Sequence, residues 1–350
     1  MELKDLFIEE NLSIKEAIKR LDVTAKKILF VTKGNILKGS ITDGDIRRWI
    51  LKNGDLKESV RYIMNKKPRY INESEKSDYK KILKLNMIEA LPVVTEKFEV
   101  IDIVFWNDSF EKKLTHLNKI DHDVVIMAGG QGKRLDPYTK VLPKPLIPIG
   151  DITIIERIIE KFTAYGCNKF HMTVNYKKNM IKAYFSELEV EYQINYVEED
   201  KPLGTAGSLS FLKNCIDKTF FVSNCDILVD CDYYDMLKFH KERKNKITLV
   251  SSLKHYTIPY GIIKLNSESC VKDIIEKPEY DYLVNTGMYI LEPEVLNNIP
   301  DDAFYNITQL INSYIEKGEK VGMYPVSDKS WLDMGELNEM ENMLERLGVK

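Results

Sequence analysis

The feature that most constrains this chain is a glycine-rich, basic turn that directly follows a short apolar run. The run, Val124–Met127, has the length and composition of a buried parallel strand. The three glycines that follow it are Gly129, Gly130 and Gly132. Glycine allows the backbone to turn sharply and to approach a ligand closely. Lys133 and Arg134 then add positive charge where backbone N–H groups can converge, so the turn predicts a polyphosphate site.

Two common phosphate-binding motifs are excluded by single residues. A Walker loop requires Ser or Thr after its lysine, whereas Arg134 follows Lys133. A dinucleotide fingerprint that began at Gly130 would require a third glycine where Leu135 stands. The alternative that involves no ligand is an ordinary surface turn after a core strand.

The longer segment 128–150, AGGQGKRLDPYTKVLPKPLIPIG, resembles the signature of the sugar-phosphate nucleotidyltransferases. The resemblance implies an α/β fold, Rossmann-like and of the GT-A type, with a mixed, mostly parallel sheet. It also implies that the turn wraps a nucleoside triphosphate, that Arg134 holds the departing pyrophosphate, and that Lys144 neutralises charge at the transferred phosphate. The nucleotide-binding residues implied here are Met127, Ala128, Gly129, Gly130, Gly132 and Lys133.

The bulk composition describes a soluble globular protein of about two domains. The chain has 350 residues, of which 44% are hydrophobic and 30% charged, and its net charge of −3 gives no reason to expect nucleic acid as a partner. The first residues lack the apolar centre of a signal peptide, and no stretch approaches the ~18 apolar residues of a membrane span. The five cysteines show no CxxC spacing, which favours reduced thiols. We therefore expect a cytoplasmic protein with no structural metal.

The first part of the chain contains a weak internal repeat with a shift of 63 positions. The run Leu29–Thr32 aligns with Pro92–Thr95, and Ile41–Asp45 aligns with Val104–Asp108. Each copy is predicted to begin with an amphipathic helix, and these helices span 13–21 and 76–85. Two units that cannot each bury an apolar face alone would pack against each other.

This repeat resembles a tandem pair of CBS modules, each of βαββα arrangement, which bind adenosyl ligands. In the first copy, GSITDGDIRR carries Thr42 and Asp45, and the resemblance implies that they contact the phosphate and the ribose of an adenosine nucleotide. The second copy departs from the pattern, because Phe105 replaces the threonine although Asp108 remains. The alternative is an architectural pair that makes the protein a homo-oligomer.

The domain boundary is predicted within residues 114–123, which carry few apolar side chains. We expect the CBS pair at 1–118 and the catalytic domain at 121–350. In the catalytic domain, strands alternate with helices, which indicates parallel βαβ units. The predicted elements are a helix at 152–165, a strand at 171–176, a helix at 177–188, a strand at 192–199 and a terminal helix at 336–349.

The segment EEDKPLGTAGSL, residues 198–209, falls where this family reads the base. The resemblance implies that Gly204 and Thr205 belong to a close-packed turn against the nucleotide. Thymidylyl and uridylyl members commonly carry glutamine where this chain has Glu199. A carboxylate only accepts hydrogen bonds, and guanine offers two adjacent donors, so Glu199 favours GTP. The alternative is that Glu198 and Glu199 are solvent-facing loop charges.

Two aspartates are the candidate ligands of a magnesium ion. Within the segment TFFVSNCDILVD, residues 219–230, the apolar run stops at Asn224-Cys225-Asp226. A carboxylate at the carboxyl edge of a buried strand is where α/β folds place chemistry. The resemblance implies that its partner is Asp333, in the element WLDMG. Two carboxylates plus phosphate oxygens and waters suit Mg²⁺.

Three short runs resemble the part of the family that binds the sugar phosphate. They contain PYG at 259–261, IEKP at 275–278 and NTG at 285–287. The implied roles are close backbone approach at Gly261, hydroxyl binding by Glu276 and Asn285, and a grip on the sugar phosphate by Lys277.

The expected reaction is attack by a sugar 1-phosphate on the α-phosphorus of GTP, which expels pyrophosphate. Because a phosphate monoester is largely ionised near neutral pH, no general base is required. A CBS pair ahead of such a transferase resembles the glucosamine-1-phosphate guanylyltransferases of bacterial legionaminic acid synthesis. The alternatives are a mannose-1-phosphate or heptose-1-phosphate guanylyltransferase, a uridylyl or thymidylyl enzyme, and a nucleotide-sensing module without catalysis.

Overall fold

The structure is a computed structural model that describes residues 3–24, 27–73, 90–105 and 118–349. The chain divides into two compact units, Met1–His116 and Leu117–Lys350. The predicted helix at 76–85 and the aspartate Asp108 lie outside the described residues.

In its described ranges, 3–24, 27–73 and 90–105, the first unit contains two three-stranded sheets of the same design. The first sheet joins β1 (Phe7–Glu9), β2 (Ile28–Lys33) and β3 (Ile36–Thr42), with helices α1 (Ile14–Thr24) and α2 (Asp43–Ile50). The second sheet joins β4 (Ile71–Asn72), β5 (Ala90–Val94) and β6 (Val100–Phe105). In each sheet the first two strands are parallel and the last two antiparallel. The repeat seen in the sequence is therefore present in the strand topology.

The second unit is built on one seven-stranded mixed sheet. Its strands, in spatial order, are β11 (Gln193–Glu198), β10 (Lys169–Val174), β7 (Val124–Met127), β12 (Phe220–Asn224), β17 (Glu279–Leu291), β14 (Ile247–Thr257) and β18 (Val321–Val326). Strand β17 is antiparallel to both of its neighbours, and the other pairs are parallel. The predicted mixed, mostly parallel α/β sheet is confirmed.

Three two-stranded pairs flank this sheet. They are β8 (Pro148–Ile149) with β9 (Ile152–Thr153), β13 (Ile227–Val229) with β19 (Trp331–Asp333), and β15 (Ile262–Leu265) with β16 (Val271–Ile275). The helices are α3 (Tyr138–Val141), α4 (Ile154–Ala164), α5 (Lys178–Ser186), α6 (Gly204–Gly207), α7 (Tyr233–Arg243), α8 (Ile307–Glu316) and α9 (Leu337–Leu347).

The predicted elements are present with small shifts at their ends. Helix α4 begins at Ile154 rather than at residue 152, because Thr153 caps it. The Thr153 hydroxyl accepts from Glu156 N, and the Glu156 carboxylate accepts from Thr153 N at 2.9 Å. This reciprocal capping satisfies two backbone donors that a helix start leaves unpaired.

Apolar side chains cover both faces of the large sheet. Along β7, Val124 and Ile126 belong to one buried cluster with Phe162 of α4, whereas Val125 belongs to another with Leu310 of α8. Successive strand residues point to opposite faces, so a strand that is apolar throughout requires cover on both. Because β10 and β12 are both parallel neighbours of β7, the carboxyl ends of these three strands meet at one edge of the sheet.

Within the ranges that the structure describes, none of the helices has the length and apolarity needed to cross a bilayer.

Candidate active site

The glycine turn leaves β7 at the carboxyl edge of the sheet. Ala128 is buried, and its N–H donates to Thr173 O of the neighbouring strand at 2.9 Å. Gly132 has a φ of +67°, and a Cβ there would lie 2.9 Å from Thr139 Cγ2 and 3.0 Å from Lys144 Cβ. Glycine is therefore required at position 132, both for the left-handed backbone and for the close approach of the segment that carries Lys144.

That segment is tied to the turn and to β10 by polar contacts. The Thr139 hydroxyl donates to Gly132 O at 3.1 Å. The ammonium of Lys177, just after β10, donates to Lys140 O at 2.6 Å and to Val141 O at 2.7 Å. Lys177 itself has a φ of +51°. Sequence reasoning missed this lysine, because neither its conformation nor its partners leave a pattern in the residues.

Asp226 and Asp333 lie next to each other although 107 positions separate them in the sequence. Asp226 directly precedes β13, and Ile227 pairs with Asp333 of β19 in an antiparallel ladder. Met334 N donates to Asp226 O at 2.8 Å, and this hydrogen bond extends the β13–β19 pairing to Asp226 itself. The short β13–β19 pair therefore brings both carboxylates to the edge where the glycine turn lies.

The Lys144 ammonium forms an ion pair with the Asp226 carboxylate, and both side chains are largely buried, at 11% and 13% exposed. Burial and the neighbouring Asp226 charge raise the pKa of Asp333 to about 6, although Lys144 and Arg134 oppose this rise. Asp226 and Asp333 are therefore adjacent carboxylates with little access to water, and the positive charges of Lys144 and Arg134 offset their repulsion only in part.

This donor set fits a magnesium ion. Mg²⁺ binds proteins through one or two carboxylates and takes its remaining ligands from phosphate oxygens and water. Across the described part of the chain, no three His, Cys, Asp or Glu side chains gather into a metal-binding group, so Asp226 and Asp333 would be a two-carboxylate site.

Glu199 follows β11 and is buried, with 5% of its surface exposed. Its Oε2 accepts from Leu203 N at 3.3 Å, and a Cβ on Gly129 would lie 2.7 Å from its Oε1. Burial raises the pKa of the Glu199 carboxyl. Glu198, in contrast, pairs with Lys178 and Lys182 at the surface. The interpretation of solvent-facing charges therefore holds for Glu198 and is wrong for Glu199.

The predicted turn after Glu199 is present and closely packed. Gly204 has a φ of +77°, and a Cβ there would lie 2.7 Å from Tyr305 O. The Thr205 hydroxyl accepts from Ile307 N at 2.9 Å and so caps helix α8.

These elements enclose a cleft of about 460 Å³. The predicted residues that line it are Met127, Gly129, Gly130, Gly132, Lys133, Arg134, Lys144, Glu199, Gly204, Thr205 and Asp226. Ala128 is buried behind the turn. Asp333 is outside the set that lines the cleft, although a Cβ on the lining residue Gly335 would lie 3.1 Å from its Oδ1. The lining residues that sequence reasoning missed are Thr173, Pro202, Leu203, Asn224, Cys225, Phe304 and Gly335.

Three of the predicted sugar-phosphate residues directly flank the β15–β16 hairpin, Gly261 before β15 and Glu276 and Lys277 after β16, and are outside the set that lines the cleft. Gly261 and Glu276 are adjacent, since a Cβ on Gly261 would lie 3.0 Å from Glu276 Oε2. Lys277 follows them with a φ of +42°. Asn285 lies on β17, where its Nδ2 donates to Tyr289 Oη at 2.6 Å.

In the first unit, Thr42 and Asp45 pair with each other at the start of α2. Thr42 Oγ1 donates to Asp45 Oδ2 at 2.6 Å, and Asp45 N donates back to Thr42 Oγ1 at 3.3 Å. Asp45 also forms an ion pair with Arg48 at 2.6 Å. The two residues thus form a helix cap, which explains their spacing without a ligand.

Residues 123–347 match the family model described as nucleotidyl transferase. This match spans more than half of the chain, and the chain therefore belongs to the nucleotidyl transferase family. Among curated relatives, it is 35% identical over 184 residues to the mannose-1-phosphate guanyltransferase of Schizosaccharomyces pombe, covering 50% of this chain and 51% of that protein. It is 28% identical over 222 residues to the mannose-1-phosphate guanylyltransferase catalytic subunit beta of Drosophila pseudoobscura pseudoobscura, covering 61% and 58%. The chain spans about half the length of the curated relatives it matches.

Solved structures share the fold at lower identity. The HddC protein of Yersinia pseudotuberculosis, also solved in complex with GMP-PN, superposes with a TM-score of 0.51 at 22% identity, covering 65% of this chain and 99% of that one. A putative glucose-1-phosphate thymidylyltransferase of Bacillus anthracis superposes with a TM-score of 0.51 at 20% identity, covering 64% and 94%. These likenesses confirm the α/β nucleotidyltransferase fold.

Proposed function

We propose that this chain transfers a guanylyl group from GTP to a sugar 1-phosphate. A phosphate oxygen of the sugar attacks the α-phosphorus of GTP, the bond from that phosphorus to the bridging oxygen breaks, and pyrophosphate leaves with the electron pair. The observation that supports this most is that the glycine turn and the Lys144–Asp226 ion pair line one cleft, with Asp333 next to Asp226 through the β13–β19 pair.

The residues of this chain act by positioning and by charge. The backbone of the turn and Lys133 bind the triphosphate, and Arg134, which also lines the cleft, holds the departing pyrophosphate. Lys144 neutralises charge at the transferred phosphate from its fixed place beside Asp226. The attacking phosphate is already ionised near neutral pH, so no side chain has to remove a proton.

Asp226 and Asp333 would hold Mg²⁺, which supplies charge neutralisation at the phosphate oxygens when bound. Their adjacency, together with the raised pKa of Asp333, supports this role, because a divalent cation relieves the repulsion between neighbouring carboxylates.

Glu199 is proposed to read guanine. It lines the cleft as a buried carboxylate, and guanine presents two adjacent donors, N1–H and the N2 amine, to such an acceptor. The names of the curated relatives, which are guanyltransferases, and the GMP-PN complex of HddC favour the same base. Gly204 and Thr205 complete this side of the cleft.

The sugar that we propose is glucosamine 1-phosphate, for legionaminic acid synthesis, with Gly261, Glu276, Lys277 and Asn285 on the sugar-phosphate side. A second candidate is mannose 1-phosphate, which the relatives' names favour.

For the first unit we propose a CBS pair at 1–118 that binds an adenosine nucleotide or makes the protein a homo-oligomer, ahead of the catalytic domain at 121–350. Its two sheets share one strand arrangement, a parallel pair followed by an antiparallel pair, and this supports a tandem repeat. A reducing, cytoplasmic setting agrees with the five cysteines, none of which forms a disulfide.

A substrate panel tests the proposal. Each of GTP, UTP, dTTP and ATP is combined with glucosamine, mannose, heptose and glucose 1-phosphates in the presence of MgCl₂, and released pyrophosphate is measured. Activity with GTP and one hexosamine or hexose phosphate is expected. Activity with UTP or dTTP alone would contradict the role of Glu199. If no combination releases pyrophosphate, the catalytic proposal fails and a nucleotide-sensing module without catalysis is the remaining function.

A further inference from the structure

One aromatic side chain in the cleft, Phe304, has no part in the proposed reaction. Phe304 lines the cleft together with Glu199, Leu203 and Gly204, and 64% of its surface is exposed. Single exposed apolar residues are common on protein surfaces and need no explanation by themselves. What distinguishes Phe304 is its position in a binding cleft and the rigidity of the loop that carries it.

Backbone hydrogen bonds fix this loop to the turn beneath it. Tyr305 N donates to Leu203 O at 2.9 Å, and Tyr305 O accepts from Ala206 N at 2.9 Å and from Gly207 N at 3.0 Å. The residue that follows Phe304 is thus bonded to both ends of the turn. The ring is therefore attached to backbone that has little freedom to move away from the cleft.

Two glycines allow this close approach. A Cβ on Gly207 would lie 2.6 Å from Ala303 O, and a Cβ on Gly204 would lie 2.7 Å from Tyr305 O. Backbone on both sides of Phe304 is pressed against the turn at distances that only glycine permits. Two positions before Phe304, Asp302 forms an ion pair with Lys201 at 2.8 Å. The loop is thereby held by side-chain as well as backbone contacts.

We infer that Phe304 is the stacking platform for the purine base, whose edge Glu199 reads. This inference rests on the proposed guanylyl transfer and assigns the base a second contact in the same cleft. The cationic residues Lys133 and Arg134, which suit phosphates, belong to the glycine turn. The loop that carries the uncharged Phe304 ring is bonded instead to Leu203, whose own N–H donates to the Glu199 carboxylate at 3.3 Å. An aromatic ring held in water on a rigid loop stacks on a base at little cost in side-chain entropy, and a purine offers a larger π-face than a pyrimidine.

The test is a calorimetric titration of the full chain with GTP and MgCl₂, without sugar phosphate. Phe304→Ala should bind GTP about tenfold more weakly than the wild type, and Phe304→Tyr should restore the affinity. The matched control is Phe211→Ala, because Phe211 is 45% exposed and lies outside the cleft. It should bind GTP as the wild type does.

A spectroscopic variant supplies an independent readout. In Phe304→Trp, indole fluorescence should be quenched by GTP and not by pyrophosphate, because guanine stacks on the new ring. Equal affinity of Phe304→Ala and wild type for GTP would overturn the inference, as would a change confined to the KM of the sugar phosphate. If the wild type itself binds no GTP and releases no pyrophosphate, the proposed function fails and the inference fails with it.

Discussion

Lys144 and Asp226 form an ion pair inside the cleft, although 82 positions separate them in the sequence. Lys144 belongs to the segment that packs against Gly132 of the glycine turn, and Asp226 lies next to Asp333 through the β13–β19 pair. The ion pair therefore joins the phosphate-binding turn to the carboxylate pair. Because both side chains are largely buried, their charges interact strongly and neither is easily screened by salt.

The first prediction concerns the charge of Lys144. Lys144→Met retains most of the side-chain length and removes the ammonium, so we expect kcat for pyrophosphate release to fall by about 10²–10³ with the fold retained. The matched control is Lys161→Met, which removes an exposed lysine paired with Asp230 at 3.0 Å. Circular dichroism spectra should be the same for all three proteins. Normal turnover by Lys144→Met would contradict the role of this ammonium.

The second prediction concerns stability and pH at Glu199. Burial raises the pKa of Glu199 above its unfolded value, so the folded state binds the proton more tightly. The contribution of Glu199 to the free energy of unfolding is fully present below its unfolded pKa. It is lost as the pH rises through its folded pKa. Glu199→Gln should therefore raise the free energy of unfolding at neutral pH, with a gain that shrinks in acid, while it weakens GTP binding.

The neighbouring Glu198 supplies the control with the opposite sign. Hydrogen bonds from Lys178 and Lys182 lower its pKa to about 2, so its contribution to stability is present above the unfolded pKa and is lost as pH falls through the folded one. Glu198→Gln should lower the Tm slightly at neutral pH and leave GTP binding intact. Chemical denaturation of both variants between acidic and neutral pH measures the difference. A destabilised Glu199→Gln at neutral pH would contradict the prediction that burial of this charge costs more stability than its hydrogen bonds return.

The third prediction concerns backbone geometry at the glycine turn. Gly132→Ala places a Cβ at positive φ within 2.9 Å of Thr139 and 3.0 Å of Lys144. We expect a loss of about 1–3 kcal/mol in the free energy of unfolding, because a side chain there is strained. Gly130→Ala is the stability control, since nothing lies within 4 Å of its added Cβ. Urea denaturation of both variants provides the comparison, and equal stability would contradict the close packing of Gly132 against Thr139 and Lys144.

The fourth prediction concerns Lys177 as a positioning residue. Its ammonium binds carbonyls at the end of α3, and this contact orients the segment that leads to Lys144. Lys177→Met should lower kcat while the GTP affinity measured by calorimetry stays the same, and Lys177→Arg should recover part of the rate. The control is Lys178→Met, whose ammonium pairs with Glu198 instead. Equal losses from both substitutions would indicate a general effect on stability rather than on position.

Much of the fold could be predicted because its elements are periodic. The apolar run Val124–Met127 and the glycine turn are visible in the residues, and both lie where the prediction placed them. The adjacency of Asp226 and Asp333 could not be derived from spacing, because it depends on a three-residue antiparallel pair outside the main sheet. The prediction that these two aspartates are partners came only from the resemblance to the sugar-phosphate nucleotidyltransferases.

Other features leave no sequence signal. A single phenylalanine in a polar loop, such as Phe304, cannot be distinguished from a core residue until the fold places it in the cleft. Likewise, the spacing of Thr42 and Asp45 is shared by a ligand motif and by a helix cap, and the hydrogen bonds show the cap. Local patterns predict local structure, whereas contacts between distant segments depend on the packing of the whole unit.

The central claim is that the turn and the two aspartates act on one nucleoside triphosphate. It is tested most directly by the initial rate of pyrophosphate release from GTP and the preferred sugar 1-phosphate, compared between Asp226→Asn and Asp230→Asn. Asp230 directly follows β13, as Asp226 directly precedes it, and it is half exposed and pairs with Lys161. We predict a loss of about 10²–10³ for Asp226→Asn and an unchanged rate for Asp230→Asn. A wild-type rate from Asp226→Asn would contradict the account.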